Sequence, residues 1–211
     1  MKLLVALTVV AASLLAYAQP QALSGEIKGI VTDEDGAPVS GATVYAVPQN
    51  GFNDPTPRSV KSDSNGSFAF RRLDLNTYKL YARKDDDSYP DPLDKFYAPA
   101  DSQVPEVDLT PQHASATQTV KLGPQAAVLA GRVVNADTGE TIKASLGFVD
   151  AEGNGHGISV DGDYRILLPP GKDVTLIVSP LGSRWDRTQV PVAPLRLEPG
   201  QYVYMDLAVR Q

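Results

Sequence analysis

Residues 27–47, IKGIVTDEDGAPVSGATVYAV, return about a hundred residues later as LAGRVVNADTGETIKASLGFV at residues 129–149. The spacing is kept along with the pattern. Gly29 to Ala42 and Gly131 to Ala144 are both thirteen positions, and Gly66 to Tyr78 and Gly162 to Val174 are both twelve. Phe68 and Phe70 then correspond to Tyr164 and Ile166, and Tyr78 and Leu80 to Val174 and Leu176. A shared spacing over this length marks one structural unit used twice, so whatever one half folds into the other must also accommodate.

Within the unit the apolar residues alternate, as they do on strands with one buried face. Ile27 and Val31 flank Gly29; Ala42, Val44 and Ala46 share a face, as do Phe68 with Phe70 and Tyr78 with Leu80. The stretch 27–47 is expected to form an opening hairpin-like unit, with Asp33-Glu34-Asp35-Gly36 as its turn. Asp caps local amides, and Gly36 can adopt positive φ without strain. Asn65-Gly66 signals a two-residue hairpin, and Asn76 and Gly171 stand where positive φ is useful. Short strands are expected at residues 104–109, 118–122 and 191–197, and a last one at 202–209; residues around His156 and Ser159 read as a Gly-rich turn. No amphipathic helix is visible. The fold class is all-β, two tandem Ig-like or prealbumin-like antiparallel sandwiches.

The first eighteen residues have the form of an export signal: Lys2, an apolar run over residues 3–16, and Ala16-Tyr17-Ala18 as a small-x-small cleavage site. The expected organisation is signal peptide 1–18, linker 19–24, sandwich 25–122, linker 123–125 and sandwich 126–211, in a secreted or periplasmic protein. The run is shorter than the roughly 20 residues a spanning helix needs, so no membrane insertion is expected after cleavage. The chain has no cysteine, which excludes disulfides and thiolate chemistry. With 25 acidic against 19 basic residues, net −6, it is not built for nucleic acid, which rewards positive charge.

The motif Gly29-x-Val31-x-Asp33…Gly36-x-Pro38-Val39-x-Gly41-Ala42-x-Val44, followed by Asp63-x-Asn65-Gly66-x-Phe68-x-Phe70…Leu73…Tyr78-x-Leu80, resembles the carboxypeptidase regulatory-like domain. The resemblance covers residues 26–83 and, in a divergent form, 129–209. There Thr138-Gly139-Glu140 replaces the usual Gly-x-Pro and Lys143 stands where Gly41 does. It implies a seven-stranded prealbumin-like (transthyretin-like) β-sandwich, akin to carbohydrate-binding-like folds, acting as a non-catalytic accessory module of envelope or secreted proteins. It does not imply peptidase activity. A zinc carboxypeptidase needs His-x-x-Glu and a second His, and here His113 precedes Ala-Ser-Ala and His156 precedes Gly-Ile-Ser.

Candidate chemistry concentrates in residues 83–119, where the strand pattern dissolves. Asp85, Asp86, Asp87, Asp91 and Asp94 form an acidic run, but without the Gly at position six and Glu at position twelve of an EF-hand they read as a solvated loop. No metal or cofactor is expected, and no catalytic residue. Tyr89, Phe96 and Tyr97, set among prolines, and Trp185 between arginines, are the expected contact residues. Their partner would be an envelope or extracellular protein or, alternatively, a glycan. The competing expectation for the loop rings is that they fold back over the sandwich.

Overall fold

The computed structural model describes residues 24–49, 57–98, 104–181 and 190–210. The expected signal peptide and Trp185 lie outside them. Strand β1 (Gly25–Thr32) forms as its alternation predicts, with Ile27 and Val31 fully buried and Lys28 exposed. It is followed by β2 (Thr43–Pro48), β3 (Arg58–Lys61), β4 (Ser67–Leu73), β5 (Thr77–Arg83), β6 (Glu106–Asp108) and β7 (Ser115–Lys121). These make two sheets, in the orders β4-β1-β7 and β3-β2-β5-β6, which close over one apolar core containing Ile27, Val44, Phe68, Phe70, Tyr78 and Leu80.

The second half repeats this arrangement strand for strand. β8 (Ala127–Asn135), β9 (Lys143–Asp150), β10 (Gly155–Asp161), β11 (Asp163–Leu168), β12 (Val174–Pro180) and β13 (Val190–Leu195) precede a final strand broken into β14 (Tyr202–Tyr204) and β15 (Leu207–Val209). The sheets are β11-β8-β14, with β15 also on β8, and β10-β9-β12-β13. They enclose a second core that includes Leu129, Leu146, Phe148, Tyr164, Ile166 and Leu176. Small contacts are duplicated as well. Val31 N donates to Gly66 O and Val133 N to Gly162 O, both at 2.8 Å, and Gly66 and Gly162 both have positive φ, 75° and 93°. No α-helix occurs among the described residues; Asp85–Asp87 form one 3-10 turn.

Three local expectations change. The stretch 27–47 is not a hairpin, because β1 and β2 lie in opposite sheets; the Thr32–Pro38 bridge ties β1 to the connecting segment and not to β2. The turn at Asn65-Gly66 likewise carries the chain from the sheet of β3 to that of β4; Asp63 Oδ1 holds it by accepting from Asn65 N (2.8 Å) and Ser67 N (2.9 Å). Gly171 has φ +68°, as expected, but Asn76 is not left-handed: among the described residues the non-glycine positions with positive φ are Arg72 and Ser88, while Asn76 Oδ1 accepts from Thr77 N at 2.7 Å.

Neither sandwich is purely antiparallel. β1 runs parallel to β7, and β8 parallel to β14 and β15. The residues read as a Gly-rich turn at 155–159 form β10, paired to β9 without a register shift from Gly155↔Val149 to Asp161↔Lys143. The alternation of Ile158 and Val160 against the second core outweighs the glycines' local preference for a turn.

Candidate functional site

The segment between β5 and β6 belongs to the first half by sequence but works as a strap over both. It begins at an isolated bridge in which Lys84 and Tyr89 exchange backbone hydrogen bonds of 2.9 and 3.0 Å. The Tyr89 ring packs half-buried against the first core, and burial, with the charges of Glu34 and Asp33 next, raises its phenol pKa. Ser88, left-handed and buried, accepts from Ala126 N through its carbonyl (2.8 Å) and from Arg165 Nη2 through its hydroxyl (3.4 Å). The expected linker is part of the same joint. Gln125 N donates to Glu34 Oε1 and Gln125 Nε2 to Asp87 O, both at 2.8 Å.

The strap then delivers Phe96 into the second core. Its ring is 1% exposed and lies 5.6 Å from Phe148, 5.4 Å from His156 and 5.0 Å from Tyr97. Tyr97 stacks on His156 at 5.7 Å and 19°, and its hydroxyl donates to Leu167 O at 3.2 Å. Burial first, and Asp94 second, push the Tyr97 phenol up to about 12. Asp94 caps the turn by accepting from Phe96 N (3.0 Å) and reaches His156 Nε2 at 2.8 Å. Of the rings read as contacts, Phe96 therefore has no free face, and Tyr97 spends one face on His156. The fold-back alternative describes both, because each ring buries more area against the second sandwich than it could on an open loop.

Asp85, Asp87 and Asp91 of the strap are likewise engaged locally. Lys84 pairs with Asp87, Arg83 lies 3.7 Å from Asp85, and Asp91 Oδ1 accepts from Leu93 N at 2.8 Å. Among the described residues no group of three His, Cys, Asp or Glu could hold a metal ion.

Behind the strap lies a buried charge that sequence reasoning did not single out. Asp150 Oδ1 accepts from Glu152 N (3.0 Å) and Asn154 N (2.9 Å), and Oδ2 stands 3.5 Å from Lys172 Nζ. Lys172 in turn donates to Phe96 O at 3.1 Å and Lys95 O at 3.4 Å, so one cation ties the Asp150 turn to the strap. Burial raises the Asp150 pKa, but the hydrogen bonds from Asn154 and Glu152 and the Lys172 charge outweigh it, and the net shift is downward. A depressed folded-state pKa contributes stability above the unfolded value of about 3.9 and loses it as pH falls through the folded value. Asp150→Asn is expected to lower the urea midpoint at pH 7, with the gap to the parent protein narrowing below about pH 4 as the parent carboxylate protonates. A gap independent of pH would show that the carboxylate charge contributes nothing.

A second group of aromatics is exposed where the sequence suggested only a strand. Tyr202 and Tyr204 are 63% and 61% exposed and, two residues apart on β14, project from the same face. Beneath them the β8 partners Val128 and Ala130 are small and buried. The row ends in a fork beside the Tyr204 phenol: Arg132 Nη2 lies 2.6 Å from Asp206 Oδ2, and Arg132 N donates to Asp206 Oδ1 at 3.0 Å. The Arg132 hydrogen bonds hold the Asp206 carboxyl below its ordinary range. The break between β14 and β15 is built rather than frayed. Met205 N donates to Ala130 O at 2.8 Å, the Tyr164 hydroxyl bonds Met205 O, and burial pushes the Tyr164 phenol up to about 12. Alternation in Tyr202-Val203-Tyr204 was the available signal; the outward choice of face depends on the pairing with β8.

The molecule is thus defined as a pair of β-sandwiches of one topology, joined by a strap that is structural in both. Residues 26–87 match the model of the carboxypeptidase regulatory-like domain, as the motifs of the first half indicate. No curated protein matches the chain. Among solved structures it is similar to a streptococcal ancillary pilin (18% identity, TM-score 0.38, covering 91% of this chain and 65% of that one). Others are the minor pilin GBS52 of Streptococcus agalactiae (12%, 0.40, 89% and 96%) and a DUF3823 family protein of Parabacteroides merdae (14%, 0.35, 84% and 100%). The chain spans 34% of the length of the Bacillus anthracis TIE protein, to which it is 15% identical with a TM-score of 0.34.

Proposed function

We propose that the protein is an exported, non-catalytic interaction module of the cell envelope or extracellular space, made of two tandem sandwich domains, whose main contact surface is the row Tyr202, Tyr204 and Arg132. One observation carries this: two large rings stand in solvent on a strand whose position is fixed from below by Met205 and Tyr164. Tyrosine and arginine dominate the energetics of protein interfaces, and a rigid ring loses little entropy on contact. Tyr89 and Trp185 remain secondary candidates within the proposal, and Phe96 is withdrawn from it. Replacing Tyr202 or Tyr204 by a photo-crosslinking phenylalanine in the producing cell is expected to give one discrete protein adduct, with none from the same residue at Leu93. Against the captured partner, the double variant Tyr202→Ala/Tyr204→Ala is expected to weaken binding by about 30-fold or more, equivalent to a hot spot of about 2 kcal/mol. Absence of any adduct at both positions would overturn the assignment.

The exposed row also favours a second reading, in which the partner is a glycan. Ring faces beside a bidentate Arg–Asp pair offer both an apolar platform and hydroxyl partners. Binding on a glycan array that Tyr202→Ala/Tyr204→Ala abolishes, with the fold intact, would decide for it.

A further inference from the structure

A sandwich has open sheet edges, and an edge strand with unpaired amides and carbonyls is a template for another chain unless something blunts it. Most edges here are blunted. β3 has four residues bounded by Arg58 and Lys61; β6 has three. β4 carries Arg71 and a left-handed Arg72, and β1 shifts register against it at Gly25/Glu26. β7 ends in Lys121, and Gln118 turns its side-chain amide onto Thr119 O at 3.1 Å. β11 carries Asp163 and Arg165, β13 holds Pro191 and Pro194, and β14 and β15 are three residues each with a break between them.

β10 is different. Its seven residues, Gly155–Asp161, contain no Pro, Lys or Arg, and it pairs with β9 along its full length without a bulge. Among the described residues its other edge has no strand partner, and Gly155, His156, Gly157, Ser159 and Asp161 are exposed. His156, Ile158 and Val160 point toward the second core, so the outward row is Gly155, Gly157, Ser159 and Asp161. Three of those four are Gly or Ser, which let another backbone approach closely.

We propose that β10 is a self-association edge: a second copy of this chain adds its own β10 antiparallel across a two-fold axis, joining two four-stranded sheets into one of eight. The sequence of the strand accommodates a second copy without a clash of charge. In the register that pairs all seven residues, Ile158 lies opposite Ile158, Gly157 opposite Ser159, His156 opposite Val160, and Gly155 opposite Asp161. The strand's single formal charge, Asp161, already paired with Lys143 at 3.0 Å, therefore meets a glycine rather than its own copy. Like charges facing each other would disfavour the pair, and a two-fold contact of this kind closes on itself without growing into a filament. This interface is separate from the Tyr202 row and independent of what that row binds.

The chain's lack of cysteine makes the register directly testable. Light scattering of the mature chain at micromolar to 100 micromolar concentration is expected to show a concentration-dependent dimer. Mixing Gly157→Cys chains with Ser159→Cys chains under mild oxidation is expected to give disulfide-linked heterodimers in excess of either homodimer, because only the mixed pair places the two sulfurs opposite each other. Ser159→Lys is expected to raise the dimer dissociation constant by at least about tenfold while leaving the circular dichroism spectrum and melting temperature near those of the parent. A chain that stays monomeric throughout the range overturns the proposal, as does a dimer indifferent to Ser159→Lys or one with no preference for the mixed cysteine pair. Binding of an unrelated extended peptide at β10 by a monomeric chain would also overturn it, assigning the edge to a foreign strand.

Discussion

Phe96→Ala is expected to destabilise the protein by about 3–5 kcal/mol, the usual cost of removing a buried phenylalanine ring where the site cannot collapse. The ring is 1% exposed, and its neighbours come from three directions: Tyr97 beside it on the strap, Phe148 on β9 and His156 on β10. Because two of those strands are held in a register running the length of β10, the cavity cannot close without disturbing the sheet. The loss should fall on the half of the molecule that does not contain the mutated residue in sequence. Native-state hydrogen exchange is expected to show protection lost first in β9, β10 and β12, with β1, β2 and β5 retaining theirs. Loss confined to the first sandwich, or a destabilisation below about 1 kcal/mol, would mean that the strap merely rests on the second core. The same contact bears on dissection of the chain. A fragment starting at residue 126 lacks Phe96, Tyr97 and the Asp94 partner of His156, and should be less stable than the second sandwich is in the whole protein.

The framework was legible in the sequence because its determinants are local and repeated. Gly29 and Gly131, Phe68 and Tyr164, Leu80 and Leu176 occupy equivalent places in their sheets, and every one of the large residues among them is buried. What escaped sequence reasoning depends on partners far along the chain. Phe96 meets Phe148 and His156, more than fifty residues away, and a ring with such partners looks in sequence like any aromatic in a polar loop. β10 escaped because Gly155 and Gly157 argue for a turn, whereas pairing with all seven partners on β9 decides for a strand. The Tyr202 and Tyr204 rings escaped for a third reason: alternation reveals that two residues share a face but not which face is outside. Lys172 and Asp150 carried no sequence signal, since they meet only when β12 pairs with β9 and sets Val174 opposite Asp150; the strap then adds the Phe96 carbonyl to Lys172.

Gly131→Ala is expected to produce the second large loss, and its direction follows from a clash that no rotamer can relieve. A Cβ at residue 131 would stand 1.9 Å from Met205 O and 2.6 Å from its carbonyl carbon, both backbone atoms, and 3.1 Å from the Tyr164 hydroxyl. Either β8 or the β14–β15 strand must move. Movement of the latter breaks the Tyr164 bond to Met205 O, the Met205 N bond to Ala130 O and the Arg132–Asp206 fork together. Overpacking of this kind typically costs about 1–3 kcal/mol and occasionally more, and coupling to three hydrogen-bonded contacts places this case at the upper end. Gly29→Ala tests the same rule in the other sandwich, since its Cβ would stand 1.7 Å from Gln118 O, on the strand equivalent to β14. Gly123→Ala is the control: nothing lies within 4 Å of its Cβ position and its φ is not positive, so its effect should stay within about 0.5 kcal/mol. The two clashing variants should also differ in function. Gly131→Ala displaces the strand that displays Tyr202 and Tyr204 and should lose partner binding, whereas Gly29→Ala should lose stability of the first sandwich and leave binding intact wherever the second remains folded. Urea midpoints with binding measured below the unfolding transition separate the two. Equal loss of binding in both would detach the tyrosine row from the contact surface.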